Sequence, residues 1–191
     1  MRSYPILAFL LFSLPSPLLA LEPDQVYTKV APSIVVVWGY NSSAPRDISF
    51  GSGVIISAGQ IVTNCHVVEG ADVIYLHRDK FKTQGILRYS DPDRDLCQIG
   101  AADTKGFEQA VSHLTNISTL RVGQKVYAIG APQGLELTLS DGLISSLRAL
   151  PIGTIIQTNA PVSKGSSGGG LFDSNGRLIG ITSFVLGLAK T

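Results

Sequence analysis

Three residues of this chain have types and settings suited to acyl transfer: a serine in a glycine-rich turn, a histidine closing an apolar run, and an aspartate opening another. The serine lies in Ser163-Lys164-Gly165-Ser166-Ser167-Gly168-Gly169-Gly170-Leu171. A serine that attacks a carbonyl needs its hydroxyl on a tight, exposed turn, with backbone N–H groups aimed at the oxyanion that develops. Glycines reach the positive φ values and close approaches such a turn requires. The same composition also describes a flexible linker. The flanks argue against a linker, because Thr154-Ile155-Ile156-Gln157-Thr158 before it, and Leu171-Phe172 and Arg177-Leu178-Ile179-Gly180-Ile181 after it, are buried-strand sequences.

Val62-Thr63-Asn64-Cys65-His66-Val67-Val68 puts His66 at the end of an apolar strand. An isolated histidine is usually only a polar core or surface residue, but this one follows a hairpin whose first strand opens with Gly51-Ser52-Gly53. Asp93-Arg94-Asp95-Leu96-Cys97 puts Asp95 at the start of a strand. Aspartates commonly serve turns, and Asp91 and Asp93 fit that role better. Asp95, leading into Leu96 and Ile99, is expected to be the inward carboxylate. His77 and His113 have no partner pattern and read as surface or satisfied residues, and no zinc spacing is present, so no metal is expected.

The elements that must position these residues are short strands. Glu22 to Val30 has a weak helical period ended by Pro32. Ser33 to Tyr40 is a strand, and Asn41 to Ser49 a polar loop. Gly51 to Ile56 and Gln60 to Asn64 form a hairpin around Ser57-Ala58-Gly59. Asp72 to His77, Phe81 to Tyr89 and Asp95 to Ile99 follow as strands. Gly106 to Leu120 is less regular, and the break between two halves falls there. Lys125 to Gly130, Leu135 to Ser140, Leu143 to Leu147, Ile152 to Thr158, Gly169 to Phe172 and Leu178 to Val185 are the later strands. Asn175-Gly176 is a strong hairpin turn. Twenty glycines and ten prolines support many turns and an all-β chain.

The chain's 191 residues, 45% of them hydrophobic, suit one compact unit or two small packed ones. A net charge of +1 gives no electrostatic case for nucleic acid or an anionic membrane surface. Residues 1–20 read as a secretory signal: Arg2 is the basic region, Ile6 to Leu14 an apolar run too short to span a bilayer, and Ser16 to Ala20 the cleavage region. A retained anchor is the alternative. The only two cysteines, Cys65 and Cys97, invite a disulfide in an exported chain. Cys65 adjoins His66, and Cys97 lies two residues past Asp95, which on a strand puts both on one face. Two buried free thiols are the competing reading.

The order His66, Asp95, Ser167 is that of the chymotrypsin-like peptidases. Read together, GSGVIIS, IVTNCHVV, DLCQI, LRVGQKVYAIGAPQGL and IQTNAPVSKGSSGGGLFDSNGRLIGITSF resemble the Deg/HtrA-type trypsin-like serine peptidases of bacteria over residues 22–186. The resemblance implies an all-β fold of two chymotrypsin-like six-stranded β-barrels with the active site between them. The first barrel would cover about 33–112 and the second about 120–191, both within a peptidase domain 21–191. Ser167 would be the nucleophile, His66 the base and Asp95 its orienting partner, with the N–H groups of Gly165 and Ser167 as oxyanion hole. Thr182-Ser183-Phe184-Val185 resembles the strand that pairs with substrate backbone, and Val162 and Val185 match the specificity-pocket wall. No cofactor is called for. Partners would be protein or peptide substrates, in the bacterial periplasm or outside the cell.

The sequence also departs from the family. Ser166 stands where the family usually has asparagine, and digestive members have an aspartate. The family continues into one more strand past the point matched by Ala189-Lys190-Thr191, so the second barrel is expected without its last strand and without a following PDZ domain. This opens a second reading, a catalytically weak peptidase-fold protein that binds peptides. A nucleotide-binding loop is excluded, because Lys164 precedes Gly165 and no G-K-[ST] order exists.

Overall fold

The computed structural model describes residues 20–111, 114–132 and 137–183. Its first half is a barrel of six strands: β1 (Ile34–Asn41), β2 (Ala44–Ser57), β3 (Gln60–Thr63), β4 (Val73–Arg78), β5 (Phe81–Asp91) and β6 (Leu96–Ala101). The strands close in the order β1-β2-β3-β6-β5-β4, and all neighbouring pairs are antiparallel. The β-branched run that starts β1 is buried on both faces. Val35 and Val37 point into the barrel with Ile55, Ile61, Leu76 and Ile99, whereas Ile34 belongs to a second cluster outside it. A strand buried on two sides reads as a continuous apolar run rather than an alternating one.

The second half is a five-stranded sheet made of β7 (Lys125–Gly130), β8 (Thr138–Leu150), β9 (Gly153–Thr158), β10 (Gly170–Asp173) and β11 (Leu178–Ile181), in the order β11-β10-β7-β8-β9. Among the described residues it is an open sheet of five strands. Its own core is Val126, Ala128, Ile144, Ala160, Leu171 and Ile179. The tip between β10 and β11 is tied by Asp173, whose side chain is 2% exposed and pairs with Arg177 at 2.7 Å, while its Oδ1 accepts the N–H groups of Asn175 and Arg177.

The helix α1 (Pro23–Val30) packs where the halves meet. Val26 and Val30 share one cluster with Ile34 and Val54 of the barrel and with Tyr127, Ile129, Phe172 and Leu178 of the sheet. Burying a valine contributes about 1.5–3 kcal/mol, so the helix joins the two halves energetically.

Four local expectations are corrected. The segment expected as a loop to Ser49 is largely strand, since β2 starts at Ala44 and pairs Ile48 with Tyr40. The strands expected at Leu135 to Ser140 and Leu143 to Leu147 are one long strand, β8. Gly142, between the two expected strands, allows a close approach, because a Cβ on it would lie 2.4 Å from the Ala160 nitrogen. A single helical turn, α2 (Cys65–Val68), was not anticipated. The expected last strand stops short at Ile181, so Thr182 and Ser183 are not strand; Phe184 and Val185 lie outside the described residues, as do Leu135, His113 and residues 1–19 of the expected signal.

Candidate active site

α2 follows directly on β3, and this turn sets His66 over the barrel's end. The His66 backbone N–H donates to Asp95 Oδ1 at 3.0 Å, and His66 Nδ1 lies 2.7 Å from Asp95 Oδ2. The imidazole is 40% exposed and the Asp95 side chain 31%, so the pair faces solvent on one side. The Ser183 hydroxyl approaches Asp95 Oδ2 at 3.4 Å.

Asp95 does not start β6 as expected. It precedes the strand with φ 54°, a left-handed conformation that aspartate and asparagine tolerate better than most residues. Its N–H donates to Pro92 O, and its carbonyl accepts the Cys65 N–H at 3.2 Å and the Asn64 side-chain amide at 2.9 Å. The turn before it is closed by Asp91, whose carboxylate accepts from Arg94 N and Nη1. The hydrogen bond from the Arg94 side chain holds the Asp91 carboxyl below the usual carboxylate range.

The strand-face argument for the two cysteines therefore does not apply to Asp95. Cys65 and Cys97 are nevertheless joined, with S–S 2.11 Å and Cα–Cα 4.8 Å. The cause is the pairing of Thr63 with Cys97 across β3 and β6, which brings the residue two beyond Thr63 next to the same partner strand. The Ser90 hydroxyl lies 3.6 and 3.5 Å from the two sulfurs.

Ser167 sits in the loop before β10. Gly165 and Gly168 on either side of it have φ 95° and 84°. A Cβ at Gly168 would stand 2.0 Å from the Ser52 carbonyl oxygen, so the loop is pressed against β2 at that point. His66, Gly165 and Ser167 line one cleft of about 440 Å³, together with Phe50, Val67 and Lys164. Of the other candidates, Val162 and Thr182 line a separate cavity of about 170 Å³ with Ser166, Pro161 and Thr138, and no ionisable side chain among the described residues lines it.

Sequence reasoning assigned no role to Ser52, Thr63 or Asn64. All three are polar and buried, at 0%, 0% and 2% exposure. Asn64 Oδ1 accepts the Gly168 N–H at 2.7 Å while its amide donates to Asp95 O, so one side chain spans the acid turn and the serine loop. The signal available was a polar pair, Thr63-Asn64, inside an otherwise apolar strand end. Among the described residues no three His, Cys, Asp or Glu side chains converge as a metal site.

A barrel and a sheet that together match a two-barrel chymotrypsin-like architecture, with a histidine–carboxylate pair and a glycine-flanked serine in the cleft, define a class of hydrolase folds. Comparison with known proteins gives the family. Residues 51–181 match the model of the trypsin-like peptidase domain. The chain is 37% identical over 185 residues to the serine protease PepD of Mycobacterium tuberculosis, covering 85% of this chain and 39% of that protein. It is 37% identical over 147 residues to the periplasmic serine endoprotease DegP of Escherichia coli K12, covering 73% of this chain and 31% of that protein. Among solved structures, the HtrA-type protease AlgW with tripeptide superposes with TM-score 0.72 at 34% identity, over 84% of this chain and 53% of that one. The chain belongs to the trypsin-like peptidase family, and the relatives that align with it are HtrA/DegP-type serine proteases. It spans less than two-fifths of the length of the curated relatives named here, 39% and 31%.

Proposed function

We propose that this chain is an exported serine endopeptidase acting through His66, Asp95 and Ser167. The observation that carries the reading is the double contact of Asp95 with His66, at 3.0 and 2.7 Å, beside a cleft that His66 shares with Ser167 and Gly165. Ser167 Oγ attacks the scissile carbonyl and passes its proton to His66 Nε2. Asp95 accepts the Nδ1 proton, fixes the tautomer and stabilises the imidazolium that forms. The N–H groups of Gly165 and Ser167 take the oxyanion, each donor lowering the barrier by about 3–4 kcal/mol. The leaving amine takes the proton back from His66. An acyl-enzyme on Ser167 remains, and water, activated by the same histidine, hydrolyses it. Residues 1–20 act as the export signal and residues 21–191 as the peptidase domain. An oxidising compartment is consistent with the joined cysteines.

Substrates are proteins or peptides, held along Thr182 to Val185 by backbone pairing. With Val162 on the pocket wall and no acidic residue in 157–165 or 180–188, a basic side chain would be buried unpaired, which is costly. Cleavage is therefore expected after small or medium aliphatic residues. Peptide-library profiling checks this, and a dominant arginine or lysine preference would refute it.

The central test is fluorophosphonate labelling, which needs an activated serine. The mature chain should be labelled at Ser167, and Ser167→Ala should lose both the label and nearly all casein hydrolysis. Unchanged hydrolysis by pure Ser167→Ala would overturn the assignment.

A further inference from the structure

Ser52 lies in β2 between Gly51 and Gly53 and is fully buried. Its N–H donates to the Ser167 carbonyl at 2.7 Å, and its hydroxyl donates to the Gly165 carbonyl at 2.8 Å. The hydroxyl oxygen accepts the Ala131 N–H at 2.8 Å, and the Ser52 carbonyl accepts the Thr63 hydroxyl at 2.6 Å. A serine hydroxyl has one proton to give. Ala131 N–H can only donate, so that proton is committed to Gly165.

The peptide planes of the loop follow from these bonds. The Ser166 carbonyl is turned toward Thr182, whose hydroxyl donates to it at 2.7 Å. In a trans peptide the next N–H points the opposite way, so the Ser167 N–H is directed away from Thr182. The planes on both sides of it carry the Gly165 and Ser167 carbonyls, and Ser52 holds both. Gly165 and Gly168, at positive φ, are where the loop could otherwise rotate.

We infer that Ser52 is a positioning residue: by two hydrogen bonds from the first barrel it fixes the peptide planes that flank the Ser167 N–H, and so holds the oxyanion-binding geometry of the second half. This rests on the proposed peptidase reading. Ser52→Ala leaves the Gly165 carbonyl and the Ala131 N–H buried without this partner, a change a structure relaxes by moving the loop.

The experiment compares wild type, Ser52→Ala and Thr83→Ala. Thr83 is another buried hydroxyl, 8% exposed, which accepts Asp103 N–H in the barrel away from the cleft. In Ser52→Ala, kcat on a peptide anilide should fall about 10- to 100-fold with KM within about threefold, below the loss from deleting an oxyanion donor outright. Affinity for a peptide boronate, which mimics the tetrahedral intermediate, should weaken by the same factor as kcat/KM. Amide exchange at Ser166, Gly168 and Gly169, whose N–H groups are bonded within this region, should quicken about tenfold through local opening. Thr83→Ala should lower Tm while leaving kcat and loop exchange unchanged.

If Ser52→Ala keeps kcat and loop exchange within twofold of wild type, or if Thr83→Ala lowers kcat equally, Ser52 has no positioning role. Should Ser52→Ala fail to fold, Thr63→Val, which removes only the bond to the Ser52 carbonyl, is read the same way and should speed loop exchange and lower kcat. A wild type that fluorophosphonate does not label would count against the peptidase reading, while the exchange measurement would still decide whether Ser52 holds the loop.

Discussion

Both carboxylate oxygens of Asp95 are committed to His66, one to the backbone N–H and one to the ring. Asp95→Asn separates these duties. The amide oxygen can still accept the His66 N–H, and asparagine suits φ 54°. Its NH₂ group, however, requires Nδ1 to be an acceptor, which puts the ring proton on Nε2, where it cannot receive the serine proton. Activity should fall about 10⁴-fold with little change in Tm, as steady-state kinetics and calorimetry on the variant would show; a tenfold loss or less would remove Asp95 from the mechanism. The proposed triad residues His66, Asp95 and Ser167 stand out in the sequence because each sits in a short motif whose residue types the chemistry restricts. Ser52 and Asn64 do not. Their bonds to Gly165 and Gly168 cross 113 and 104 positions of chain, and a buried serine or asparagine looks locally like any other polar residue.

At the scale of elements, the acid turn and the histidine turn are tied by the bond between Cys65 and Cys97, 32 residues apart. In the chain-entropy account a closure of that length contributes about 3–4 kcal/mol. Reduction should lower the urea midpoint accordingly and reduce kcat through a looser His66–Asp95 pair. Alkylation without reductant, followed by mass spectrometry, should add no groups to the purified protein; uptake of two would show that the thiols are free. Strand assignments were read well where apolar residues run together, as in β1 and β7. They failed at Asp141-Gly142, between two expected strands that are one. A glycine stands inside β8 there because a Cβ would meet Asn159 and Ala160, a contact that local patterning does not carry. The turn at Cys65–Val68 was hidden for a related reason, since Val67 and Val68 continue an apolar run although they fill the barrel's end rather than its wall.

For the whole molecule, the shared cluster of α1, β1, β2, β7, β10 and β11 makes separate unfolding of the halves expensive. Trp38, the one tryptophan, stacks on His77 on the first barrel, and a fluorophosphonate probe on Ser167 would report the second half. The two signals should share one urea midpoint, and Val26→Ala should lower both together by about 2 kcal/mol worth of stability. Two resolved midpoints would mean that the halves fold independently. The barrel's covalent tie has a further consequence for a chain exposed to other proteases. The turn at Asp79-Lys80 joins β4 to β5 within the span closed by Cys65 and Cys97. A nick there by an added protease that cuts after lysine would leave the two pieces linked through sulfur, with the hydrogen bonds of β4 and β5 in place. Limited digestion at that turn would therefore produce a cut but still assembled chain, one band without reductant and two with it.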